Sequence, residues 1–352
     1  MAFVALWHSG YLFSPRYYDE VLELRDRNGI PPDDRPDLAD PTNHGAFGFG
    51  LYERGRTRAS VIVEAPLVRR GSDPWFPSLH RGEVDLVAEP PEPGALFGLG
   101  ASRVVRNRDG AYEISVSERS RWSRATVQGR LKVRPLTPGS DVIPLGNDGP
   151  GGIRHAWQIL ASRTEVTGRI TWSGLTGRRE RSIELNGLGY LERNAGRLPL
   201  SPAVGRWLWG RFQGSEKTIA YHRIDPVGLP LTTDPPRGDG AVDPAGHFVY
   251  HGGRDGGRRV EGARIDPTHI RRNRWGMPHP LEIRGSGGPV AWHARLVRVL
   301  DRGPFFVRCL SRLSCEDPAL DGVPGITECF LPARWDVPLY RLITQGKIRR
   351  GP

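Results

Sequence analysis

Short runs in which apolar and polar residues alternate fill most of this chain, and glycine or proline closes nearly every one. The segments "AFGFGLYERG" (46–55), "ASVIVEAP" (59–66), "GEVDLVAE" (82–89), "YEISVSE" (112–118), "ATVQGRLKVRPL" (125–136), "EVTGRITWSG" (165–174) and "RSIELNGLGYLE" (181–192) keep a period of two, which predicts strands. After Asn194 the pattern restarts with "RWLWGRF", "TIAYHRI", "GHFVYHGG", "AWHARLVRVL", "PFFVRCLSRL" and "ITECFLP". One stretch reads as a helix instead: residues 14–29, with Ser14 as N-cap, Pro15 at the first helical position and Gly29 as the stop. Together these elements predict an all-β fold with few helices. It consists of two successive antiparallel barrels or sandwiches, residues 1–195 and 196–352, joined near "NAGRLPLSP".

Strand periodicity gives two residue pairs a chemical meaning. In "ELNGLGYLERNAG" (184–196) Tyr190 and Glu192 stand two apart and so share a face; in "GGIRHAWQILASR" (151–163) the same holds for His155 and Trp157. The ordinary reading is an exposed glutamate, a core tryptophan and a hydrogen-bonded histidine. Barrels of this size also enclose ligands, with every second residue of a strand facing inward. Turned inward, the two pairs would line an aromatic pocket in the N-terminal domain holding one acid and one base, a composition suited to proton transfer to a hydrophobic substrate.

Composition narrows the partners. Lys and Arg number 50 against 39 Asp and Glu, a formal net charge of +11, and the arginines gather in "RGRTR", "GRRERS", "GGRDGGRR" and "HIRRNR". Such blocks ordinarily mark solvated loops and hairpin ends; functionally they would attract an anionic membrane surface or nucleic acid. No helix-turn-helix, zinc-finger or ribonucleoprotein signature organises the charge, so nucleic acid is not an expected partner. No stretch approaches the roughly 18 uninterrupted apolar residues of a spanning helix. The opening "MAFVALWHSGYLFSP" lacks the basic start and small-residue cleavage site of a signal peptide. Three cysteines, Cys309, Cys315 and Cys329, have no zinc spacing, which fits packed or idle thiols in a reducing cytoplasm. No ligand cluster or phosphate-cradling loop calls for a metal or organic cofactor.

The stretches "GYLFSPRYY", "DPTNHGAFGFGLYERG", "RHAWQI", "GLGYLERNAGRLPL" with "RWLWGRF", and "LDRGPFFVRCLSRL" through "GITECFLPARWDVPLYRLITQGKIRR" resemble, in the same order, the carotenoid 1,2-hydratase (hydroxyneurosporene synthase) family. The resemblance implies two lipocalin-like domains, a hydrophobic polyene or carotenoid as substrate, and a cofactor-independent hydro-lyase reaction. It carries the family's H-x-W and G-Y-L-D-S-N residues onto His155, Trp157, Tyr190 and Glu192. The usual aspartate is the longer Glu192 here and the following serine is Arg193, while Asn194 is kept. The family's aromatic W-Y-x-D-A strand ahead of "FVALWHSGYLFSP" has no counterpart, which implies a barrel short of one strand or a start that falls after it.

Alkene hydration needs an acid that still carries its proton near neutral pH, which burial among aromatic walls promotes. Glu192 is the expected donor, with a raised pKa. Trp157 and Tyr190 would shield the carbocation, His155 would position water or accept its proton, and Asn43, His44 and Asn194 would orient the network and the substrate. Two other readings stand beside this one: a lipocalin-like cyclase that closes rings in natural products, and a non-catalytic binder of hydrophobic ligands. In the membrane reading the Arg-rich rim and the tail "GKIRRGP" dock peripherally on the inner face of an anionic bilayer.

Overall fold

The computed structural model describes residues 2–9, 44–54, 56–66, 93–99, 102–119, 125–145, 155–173, 180–196, 200, 204–228, 246–287 and 291–350. Of the described residues, strand makes up 71% and helix 5%, so the fold is all-β with lipocalin-like, curled antiparallel sheets. The strands are β1 Ala2–Ser9, β2 His44–Glu53, β3 Arg56–Pro66, β4 Gly94–Leu99, β5 Ser102–Arg106, β6 Tyr112–Arg119, β7 Thr126–Pro135, β8 Ile143–Pro144, β9 His155–Ser173 and β10 Glu180–Gly196. They continue with β11 Arg206–Gln213, β12 Thr218–Asp225, β13 Gly246–Gly253, β14 Gly256–Val260, β15 Arg264–Arg272, β16 Pro278–Ser286, β17 Trp292–Arg302, β18 Phe306–Cys315, β19 Pro324–Phe330 and, after helix α1 Pro338–Lys347, β20 Ile348–Arg350. The helix expected over 14–29 and the strand expected over 82–89 lie outside the described residues.

The chain forms two compact units that are discontinuous in sequence. Met1–Pro135, Thr164–Tyr190 and Asp336–Pro352 make the first; Leu136–Arg163 and Leu191–Trp335 make the second. The expected division after residue 195 lies just beyond the change of unit at Tyr190 and Leu191. The long strands β9 and β10 each contribute residues to both units.

In the first unit, β1, β2, β3 and β20 form a four-stranded sheet, with β20 joining parallel to β3, and β7, β6, β5 and β4 extend a second sheet from β10 and β9. Alternation sorts the side chains as the sequence pattern demands: in β6, Tyr112, Ile114 and Val116 are buried while Glu113 and Arg119 are exposed. Glu118 falls on the buried face and accepts a 2.6 Å bond from the buried Ser102 hydroxyl.

The second unit is a nine-stranded sheet in the order β14-β13-β12-β11-β19-β18-β17-β16-β15. Its end strand β15 meets β13 and β12 through side chains: the Ile265 amide of β15 donates to His247 Nδ1 of β13 at 2.9 Å, and Arg223 of β12 donates to the Ile265 carbonyl at 2.6 Å. One face encloses a core of Leu208, Phe212, Ile219, Tyr221, Val249, Ile283, Trp292, Val307 and their neighbours. At one end of that core Asp225 pairs with both Arg206 and Arg223, all three buried. Burial raises the Cys309 thiol well above the ordinary range and pushes Cys329 up to about 12, so both remain protonated thiols. Two of the arginine blocks fall on the edge strands β14 and β15, where charge discourages pairing with another chain.

Three glycines let aromatic rings lie flat across that core. A Cβ on Gly210 would stand 2.4 Å from the Tyr221 hydroxyl, one on Gly325 2.3 Å from Phe212, and one on Gly285 1.9 Å from Trp292. Gly285 and Trp292 are directly opposed partners on β16 and β17, so the indole cannot move aside without leaving its strand register. Gly285→Ala is therefore expected to destabilise the second unit by about 1–3 kcal/mol or more, visible as a lowered Tm; an unchanged Tm would show that Trp292 has room to move.

Candidate active site

β12 is buried along its whole length. Tyr221 and Arg223 point into the core, so alternation turns Ala220, His222 and Ile224 to the opposite, outer face. There His222 stands opposite Trp209 of β11, Trp209 opposite Glu328 of β19, Glu328 opposite Arg308 of β18, and Arg308 opposite Asp301 of β17. Arg308 donates to Glu328 at 2.6 Å and to Asp301 at 3.2 Å, pairing the charges of that row.

Residues 155–163 of β9 cover this outer face. The Ser162 carbonyl accepts bonds from Thr218 Oγ1 at 3.1 Å and Gln213 Nε2 at 3.2 Å, and Ser162 also lies against Gly252. The seating brings Trp157, which is fully buried, onto His222 with ring centroids 4.4 Å apart at 58°. Trp207 and Trp209 reach the same imidazole at 4.9 and 6.3 Å.

Glu192 completes the group. Its Oε2 accepts a 2.7 Å bond from the Trp157 indole N–H and a 3.1 Å bond from the Trp209 indole N–H. An indole nitrogen can only donate, so each ring requires an acceptor, and one carboxyl oxygen serves both. One residue further along each strand, Arg193 Nε donates to Gln158 Oε1 at 2.6 Å. Alternation thus sends Trp157 and Glu192 to one face, and Gln158 and Arg193 to the other.

Of the residues singled out from the sequence, Trp157 and Glu192 come together, and both belong to the second unit. The N-terminal domain was expected to carry them; Leu136–Arg163 instead packs with the later strands. Tyr190 is half-buried, two positions before Glu192 on the same strand face, and falls in the first unit. Asn194 is exposed. His155 begins β9 and His44 begins β2, but their side chains, like Asn43 and Arg154, lie outside the described residues. Trp207, Trp209 and His222 were not foreseen as site residues. The i, i+2 spacing of the tryptophans in "RWLWGRF" repeats that of the two recognised pairs, whereas nothing in "TIAYHRI" distinguishes His222 from a core histidine.

The profile of the family described as carotenoid hydratase CrtC matches residues 55–350. The chain belongs to that family. It is accordingly a hydratase-type enzyme. A hydroxyneurosporene dehydrogenase of Chlorobaculum tepidum is 24% identical over 353 residues, spanning 99% of this chain and 83% of the relative. Among solved structures, a protein described as AttH from Nitrosomonas europaea aligns with TM-score 0.55 at 15% identity, over 82% of this chain and 81% of that one. CghA in complex with Sch210972 aligns with TM-score 0.51 at 12% identity, over 82% and 85%. Kievitone hydratase of Nectria haematococca aligns with TM-score 0.50 at 12% identity, over 83% and 81%. These structural likenesses carry the fold. Among the described residues no helix is long and apolar enough to cross a membrane.

Removing one indole donor leaves the carboxyl oxygen short of a partner, while an amide keeps a carbonyl there to accept both. Trp157→Phe is expected to cost about 1–3 kcal/mol in urea denaturation, and Glu192→Gln less than about 1 kcal/mol. Equal losses for the two variants would mean that the indole bonds do not hold this part of the fold.

Proposed function

We propose that this protein adds water to the terminal C=C of a hydrophobic polyene of the carotenoid class, with Glu192 as the proton donor. The observation that carries the reading is the carboxyl of Glu192 held at one oxygen by two neutral indole N–H groups. The two indoles fix the position of the carboxyl that is to deliver the proton. Family membership and the family's description support the substrate class.

The chemistry follows from the alkene. The Glu192 carboxyl O–H protonates the less substituted carbon of a trisubstituted double bond, the π electrons form the new C–H bond, and the positive charge falls on the tertiary carbon. A water molecule captures that carbon and loses a proton, which restores the acid either directly or through His155. The tryptophan faces present negative π density to the cation, worth roughly 2 kcal/mol or more in a desolvated site. Tyr190 is assigned to the same shielding, and Asn43, His44 and Asn194 to orientation of substrate and water.

Glu192→Gln is expected to abolish hydration of an acyclic carotene supplied in lipid vesicles while binding persists, and wild-type activity should fall as pH rises and the acid loses its proton. A Gln variant that hydrates at the wild-type rate would assign the proton to another group.

Peripheral docking on an anionic bilayer is the proposed route of substrate supply, supported by the net charge of +11. The protein should sediment with anionic vesicles at low ionic strength and be released by salt. Equal binding to neutral vesicles would remove the electrostatic part of the reading.

A further inference from the structure

His222 occupies an unusual place for a buried histidine. It is 0% exposed, on a strand bonded on both sides, opposite Trp209 on β11 and Phe248 on β13. Its ring is tilted against Trp157 and nearly perpendicular to Trp207, the edge-on arrangements that aromatic rings prefer. Trp157 and Trp209, the two indoles that bond Oε2 of Glu192, both contact this imidazole. Trp157 comes from β9 and Trp209 from β11, so no single strand fixes one indole relative to the other. The ring of His222 is a shared contact that does.

We infer that His222 is a positioning residue for Glu192: its flat imidazole, wedged among Trp157, Trp207 and Trp209, sets the two indoles whose N–H groups aim the carboxyl. The inference rests on Glu192 being the proton donor. His222 is fully buried against the tryptophans, so its loss should weaken the reaction and spare substrate binding. A proton donor displaced by about 1 Å loses on the order of 100-fold in rate. Removal of an interaction that matters in the transition state alone lowers kcat and leaves KM in place.

Two substitutions separate a ring that seats the indoles from a residue that merely fills space. His222→Leu keeps approximate bulk and loses the plane; His222→Phe keeps the plane. Near-ultraviolet circular dichroism of the indoles reports the arrangement without reference to activity, and an acyclic carotene in vesicles serves as the substrate. His222→Leu should flatten the indole signal and lower kcat by about 10–100-fold with KM nearly unchanged, and His222→Phe should restore most of both. The inference is overturned if His222→Leu leaves the dichroism intact, or if kcat and KM worsen together. It is equally overturned if His222→Phe, folded and with the native dichroism, is as slow as His222→Leu. Should His222→Leu fail to fold, the Phe variant decides by the same two readings. If Glu192→Gln proves active, the donor assignment fails, and the dichroism still tells whether His222 seats the indoles.

Discussion

A strand covered on both faces organises the second unit. β12 cannot expose either side, so each alternate side chain must find a buried environment, and the two environments differ in kind. On the inner side, Tyr221 lies over Gly210 and tilts against Trp292, and its hydroxyl meets Thr327 at 3.0 Å, with burial raising the phenol far above its usual range. On the outer side, His222 receives Trp157 from β9. The aromatic rings of the core come from the barrel's own strands, so the chemistry-bearing group is assembled on the outside. The covering segment, residues 155–163, brings one indole and the end of β10 brings the carboxyl.

The same unit surrounds two of its carboxyls with donors of different kinds. Asp225 sits between two buried guanidiniums and serves as their counter-ion, which locks β11 and β12 together at one end of the core. Removing one partner from such a group leaves an uncompensated buried charge. At Glu192 two of the donors, the indole N–H groups of Trp157 and Trp209, carry no formal charge. An arginine beside a carboxyl favours its ionised form, whereas an indole N–H orients a carboxyl without adding a formal charge. Arg193, the nearest cation in sequence, is occupied on the other face by Gln158.

How much of this was legible in the sequence depended on periodicity. Alternation located twelve of the twenty described strands and put Trp157 and Glu192 on definite strand faces, because a period of two is a local property of the chain. It could not show that Leu136–Arg163 packs with strands more than fifty positions later, since such pairing is decided by which surfaces cover each other. His222 was illegible for the same reason. Its significance comes wholly from neighbours on β9 and β11. Helix α1 was passed over too, although Pro338 at its first position and Leu339, Leu342 and Ile343 at spacings of three and four are helical signals. A ten-residue helix is short enough for its pattern to be lost among many strands.

The glutamate itself tests the arrangement. Where the resemblance leads one to expect aspartate, this chain has a side chain one methylene longer, with a further rotatable bond and more rotamer freedom to lose on being fixed. A single donor would leave that side chain free to swing about one bond. Two donors arriving from separate strands on the same oxygen define its position and restrict the swing, and each is set by a ring packed against His222. The extra methylene and the double indole grip therefore belong together: the longer acid reaches beyond its own strand to β11, and it is Trp209 on that strand that holds it there.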